Sequence, residues 1–151
     1  MLVYRIASPQ YAGDLSGNGA KLYGGRWNAK GTAVVYLTSS RALAVMELLV
    51  HLRPEDLQRP YAIMTFDVPD DKVLKLAIKD LPADWQHEER KSSLHRITSD
   101  FVAKGTHLLM EVPSVLIEEE SNYILNPLHP DAAKVKLVAQ RSFNFDQRLK
   151  D

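Results

Sequence analysis

The stretch Ala42-Leu43-Ala44-Val45-Met46-Glu47-Leu48-Leu49-Val50 limits the possible fold more than any other part of this chain. At helical spacing its apolar residues surround the axis almost completely, so such a helix needs packing partners on nearly every side. It is expected to be a core helix. Ser39 or Ser40 offers an N-cap, and the helix should run to Arg53, because Pro54 disfavours a helical residue before it. The preceding run Val34-Val35-Tyr36-Leu37 is β-branched and apolar, as a buried strand would be. Glu47 is the only charge within the helical stretch. Buried without partners, a carboxylate would hold its proton, so the fold should place a cation or donors beside it. An ion pair with Arg26 or Arg41, or a helix-edge position reaching water, is the structural account. A carboxylate kept for chemistry is the other.

The remaining pattern alternates short strands with one further helix. Leu2 to Ile6 and Tyr61 to Val68 read as strands, as do Val73 to Leu76, His107 to Val112 and Val115 to Ile117 around Pro113. Pro82 to Phe101 reads as a helix with Leu94, Ile97 and Phe101 on one face and Gly105 as its stop. Lys134 to Phe145 is expected to form a last strand or strand pair, and Tyr11 to Gly25 a long glycine-rich loop. With no repeat and no linker, residues 1–151 are expected to be one compact α+β domain of mixed short strands and flanking helices.

Composition weighs against several function classes. Nineteen basic residues balance nineteen acidic ones, so no overall positive field favours direct nucleic-acid binding. Cysteine is absent, which removes disulfides, thiolate metal sites and a cysteine nucleophile. None of the five histidines forms a close ligand pair, and no metal is expected. The first residues lack the pattern of a secretory signal, and no stretch has the roughly eighteen apolar residues of a membrane span. A cytoplasmic chain without membrane attachment is the simplest expectation.

Arg26 lies in Gly24-Gly25-Arg26-Trp27-Asn28. A guanidinium in a loop whose glycines permit close backbone approach suits a phosphate. Its bland alternative is a surface cation–π pair with Trp27. Gly17-Asn18-Gly19 does not extend to GxGxxG, since Leu22 stands at the third glycine, and no Walker A lysine motif is present. Ser121-Asn122-Tyr123-Ile124-Leu125-Asn126-Pro127 supplies neutral donors and acceptors suited to ribose and amide groups, or else ordinary turn chemistry. Tyr36 could stack on a flat heterocycle or simply be a core tyrosine. Glu118-Glu119-Glu120 resembles the E-x-E element of some ADP-ribosyltransferases, but such acidic runs favour a solvated loop.

Taken in order, Gly24-Gly25-Arg26-Trp27-Asn28, Gly31, Val35-Tyr36, Ala44, Glu47, Ser121-Asn122 and Asn126-Pro127 resemble the signature of the RES domain family. Phe143 to Leu149 is similar to that family's C-terminus, and Thr38 is a mild departure where a small residue is expected. The resemblance spans nearly the whole chain, and its Arg, Glu and Ser match Arg26, Glu47 and Ser121. It implies a fold similar to ADP-ribosyltransferases. It also implies the toxin half of a bacterial type II pair, with an Xre-type helix-turn-helix antitoxin as partner and a homo-oligomer within the antitoxin complex.

The substrate implied is NAD, with no prosthetic group. Arg26, Glu47, Tyr36 and Ser121 would be catalytic, and Arg26, Trp27, Tyr36, Ser121, Asn122 and Asn126 would bind the dinucleotide. On that reading Arg26 pairs with the pyrophosphate, Glu47 holds a ribose hydroxyl, Tyr36 stacks near nicotinamide, and Ser121 with Asn122 or Asn126 donates to ribose or phosphate. Hydrolysis or phosphorolysis of NAD, ADP-ribosyl transfer to a protein, and a non-catalytic module binding through Tyr11 to Gly25 are the three functional expectations.

Overall fold

The computed structural model describes residues 1–151. Seven strands form one sheet: β1 (Leu2–Ala7), β2 (Val35–Thr38), β3 (Tyr61–Asp67), β4 (Val73–Lys75), β5 (Leu109–Pro113), β6 (Ser121–Leu125) and β7 (Lys136–Phe143). Their order is β4-β5-β6-β2-β1-β3-β7. Only β4 and β5 run parallel; every other neighbouring pair is antiparallel. The α+β expectation holds. β1 pairs with β3 along its whole length but meets β2 at the single register pair Tyr4↔Thr38, so the sheet opens beyond that point.

Alternation along the strands gives the sheet two different faces. On one face Val3, Val35, Leu37, Met64, Phe66, Leu109, Tyr123 and Leu125 form a continuous apolar core. The other face is divided. Ile6, Tyr61 and Ile63 pack beneath α2 (Arg41–Leu49). Met110, Val112 and Ile124 pack with Trp27, Trp85 and α3 (Lys91–Lys104). Between the two clusters lie the β2 and β6 positions Tyr36, Thr38 and Asn122, which share that face by register. The candidate site collects there.

Local chemistry explains where the elements begin and end. Ser40 caps α2, its hydroxyl accepting the Leu43 N–H at 3.1 Å. Gly105 ends α3 in the left-handed region at φ 61°, its N–H bonded to the Phe101 carbonyl. The expected core helix is only half a core helix. It stops at Leu49, buries Leu43 and Ala44, and leaves Met46 40% and Val50 51% exposed, because the sheet covers one side alone. α3 also starts later than expected. Pro82 to Arg90 forms a series of four-residue turns that carry Trp85 into contact with Trp27, ring centroids 6.5 Å apart.

Two further segments differ from expectation for identifiable reasons. Val115 to Ile117 is not a strand, because the Ser114 hydroxyl takes the N–H groups of Leu116 and Ile117 that a ladder would need. Ser121 to Leu125 is not a turn but β6, paired on both sides. Its uninterrupted Tyr123-Ile124-Leu125 is buried on both faces. The loop from Tyr11 to Gly25 contains a short helix, α1 (Asn18–Tyr23). No helix is long and apolar enough to cross a membrane.

Candidate functional site

Glu47 projects from α2 toward β6 and is held by neutral donors. Ser114 Oγ donates to Glu47 Oε1 at 2.7 Å, and Asn122 Nδ2 donates to the same oxygen at 2.6 Å. The other carboxylate oxygen takes no bond from the protein. Ser114 is fully buried, and its hydroxyl oxygen already accepts the N–H groups of Leu116 and Ile117 at 3.1 and 3.2 Å. Its proton therefore has one direction left, toward Glu47. The Asn122 amide is oriented by the same logic, since turning it over would set its oxygen against the carboxylate. Its own Oδ1 is then buried with no partner. Neither expected cation reaches Glu47. Arg41 instead lies over the Tyr4 ring at 4.5 Å and donates to Thr65 at 3.3 Å.

The Arg26 turn is built on β2. Tyr36 Oη accepts the Trp27 N–H at 3.1 Å and donates to Asn28 Oδ1 at 2.6 Å. Asn28 is fully buried and its amide nitrogen donates to the carbonyls of Ala20 and Thr32, which ties the turn to α1 and to the approach to β2. From the opposite side His95 Nε2 of α3 donates to the Gly25 carbonyl at 2.8 Å. A Cβ at Gly25 would lie 2.8 Å from the Tyr36 hydroxyl and 3.0 Å from Asn28 Oδ1, so that position has room only for glycine. Gly24 adopts φ 71°, again a glycine conformation. The guanidinium that this turn presents donates to the Gln86 carbonyl at 3.1 Å and to Glu88 Oε1 at 3.2 Å.

Burial pushes the Tyr36 hydroxyl up to about 12, against small opposing effects from its Trp27 and Asn28 bonds and the Arg26 charge. It stays protonated at neutral pH and works as a clasp, not a base. Tyr36→Phe should cost about 2 kcal/mol of stability in denaturant titration, because it leaves the Trp27 N–H and the Asn28 oxygen without this partner. The folded chain keeps a proton that unfolded tyrosine loses near pH 10, so this contribution is present below pH 10 and fades toward about 12. The stability gap between parent and Tyr36→Phe should therefore be constant up to pH 10 and narrow above it.

The sequence-derived residues separate accordingly. Glu47 and Asn122 are in contact, and Tyr36 supports the Arg26 turn on the same sheet face. Ser121 is not with them. Its neighbour Asn122 faces Glu47, and strand alternation turns the Ser121 side chain to the opposite face, while its carbonyl takes the Ser39 N–H. The serine on Glu47 is Ser114, which sequence reasoning missed. Asn126 lies four residues beyond Asn122, about 13 Å along the strand direction. It is buried as a turn-former, accepting the Leu128 N–H at 3.0 Å. Trp27 is 3% exposed in the apolar cluster with Trp85, neither a surface cation–π partner nor an open stacking platform. Glu118 to Glu120 form an exposed turn.

Comparison with known proteins adds a third line. The profile of the RES domain matches residues 2–146. Toxin Res of Photorhabdus laumondii is 36% identical over 151 residues, spanning 99% of this chain and 97% of that protein. Toxin Res of Yersinia enterocolitica is 35% identical over 152 residues, spanning 99% and 100%. A Sphingobium protein named Prs ADP-ribosylating toxin is 38% identical over 141 residues, spanning 91% and 88%. Among solved structures, the M. tuberculosis MbcT–MbcA toxin–antitoxin complex contains a chain that superposes with a TM-score of 0.77 at 20% identity, over 98% of this chain and 85% of that one. At that identity the likeness establishes a shared fold.

Proposed function

The chain belongs to the RES domain family, and from that premise we propose that it is a toxin that consumes NAD by cleaving the nicotinamide–ribose bond. The observation that carries this reading is the state of Glu47: a carboxylate held at one oxygen by two neutral donors, with no cation to quench it and the other oxygen uncommitted. A group held this way can accept a ribose hydroxyl hydrogen bond and offset positive charge growing on the sugar.

The chemistry asks little more of the protein. Nicotinamide in NAD is already cationic, so when the bond from ribose C1′ to the ring nitrogen breaks, the electron pair leaves with a neutral molecule. The ribose becomes oxocarbenium-like, the charge that Glu47 would stabilise. Arg26 would hold the diphosphate and fix the dinucleotide's orientation. Attack by water at C1′ gives ADP-ribose and a proton. Attack by phosphate gives the 1-phosphate. A second reading, transfer of ADP-ribose to a protein side chain, is favoured by the likeness to the Sphingobium toxin. An Xre-type antitoxin, homo-oligomeric assembly within its complex and a cytoplasmic setting fit this proposal.

Purified chain incubated with NAD labelled on the adenylate half tests it. Free labelled ADP-ribose or its 1-phosphate is the expected product. Label retained on added cellular protein would select the transferase reading. NAD that persists unchanged, with and without such protein, would overturn both.

A further inference from the structure

Arg26 is already paired with a carboxylate of its own chain. Its Nη2 rests on one oxygen of Glu88 at 3.2 Å, while Lys91 Nζ rests on the other at 2.5 Å. One carboxylate thus bridges two cations, much as two oxygens of a phosphate would. The hydrogen bond from Lys91, with the charges of Lys91 and Arg26, holds the Glu88 carboxyl below its ordinary range. Arg26 and Glu88 are 62 residues apart, so the fold and not local sequence brings them together. The Glu88 side chain is 65% exposed on a short turn, whereas Arg26 is 24% and Lys91 35% exposed. The cations are the more enclosed part, and the carboxylate is the part open to solvent.

We propose that Arg26 and Lys91 form a phosphate subsite and that Glu88 is its built-in occupant, displaced when a phosphate-bearing ligand arrives. The Gln86 carbonyl keeps Arg26 Nη1 anchored during the exchange, leaving Nη2 and Lys91 to take two phosphate oxygens. An exposed ion pair is weak, so the exchange costs little, and a phosphate brings more charge and more acceptor oxygens than the carboxylate it replaces. The inference rests on Arg26 facing the ligand in the proposed function. Two sources share this chemistry: the diphosphate of a dinucleotide and free inorganic phosphate acting as acceptor.

Calorimetry on the intact chain at low salt, with ADP, inorganic phosphate and adenosine as probes, separates the outcomes. Glu88→Gln should bind ADP about tenfold tighter than the parent. Adding Lys91→Gln should remove that gain, and adenosine should respond to neither change. A gain confined to ADP assigns the subsite to the diphosphate; a gain for inorganic phosphate as well assigns it to the acceptor too. ADP and phosphate binding both within twofold of the parent in Glu88→Gln and in Glu88→Ala would overturn the proposal. Binding is read without turnover, so a chain that gains affinity but leaves NAD intact refutes the NAD reading alone. A chain that destroys NAD without the gain refutes the subsite alone.

Discussion

Glu47→Gln is expected to lower NAD turnover by about 10²- to 10³-fold, the usual consequence of losing one well-placed electrostatic group. Its melting temperature should stay within about 2 °C of the parent. Both expectations follow from one detail. Ser114 and Asn122 donate to the same oxygen, Oε1, and an amide can keep an oxygen there. What the substitution changes is the other oxygen, which becomes an NH₂, and the net charge. Glu47→Ala is the informative contrast, because it strands the Ser114 and Asn122 donors and should lose about 2–4 kcal/mol of stability as well. Initial rates of NAD loss together with thermal unfolding of both variants check the pair. A Glu47→Gln chain that consumes NAD at the parent rate would remove the carboxylate from the mechanism.

What could be seen of this site beforehand depended on which physical signal each residue left in the sequence. Glu47 was legible because a single charge in an apolar helix must find partners, and it did, although they are neutral donors and not the arginines expected. Arg26 was legible because the two glycines before it marked either a positive φ or a close approach; both hold, Gly24 at φ 71° and Gly25 where Tyr36 and Asn28 leave no room for a Cβ. Ser121 was misplaced for a geometric reason. Adjacent residues share a site in a turn but face opposite ways in a strand, and Tyr123-Ile124-Leu125 makes this segment a strand.

Ser114 left only a weak signal, a serine just after the proline that ends β5, where its hydroxyl can take the next two free N–H groups. The fold was legible in the same uneven way. Strands with clean alternation and helix ends with a capping serine or a glycine stop fell where expected. The Pro82 to Arg90 turns did not, because their course is set by where Trp85 docks.

Those turns also govern the second large expected effect. Arg26→Ala should raise the KM for NAD about 30- to 100-fold, equivalent to roughly 2–3 kcal/mol for a lost charge-assisted pair, with a smaller fall in kcat. Two causes act together. The diphosphate loses its guanidinium, and Glu88, released from Arg26, remains as a carboxylate near the place the diphosphate must occupy. Arg26→Lys should recover little, since one ammonium cannot serve the Gln86 carbonyl and an anionic oxygen together with the geometry of a planar fork. The double variant Arg26→Ala with Glu88→Gln distinguishes the causes. If repulsion by the freed carboxylate contributes, its KM should fall back toward the parent by clearly more than the roughly tenfold gain expected from Glu88→Gln alone, and that excess over the sum of the two single effects is the coupling. If the KM of Arg26→Ala equals the parent's, the guanidinium does not hold the dinucleotide, and the Gly24–Asn28 turn would have to be explained by its contacts with α1 and β2 alone.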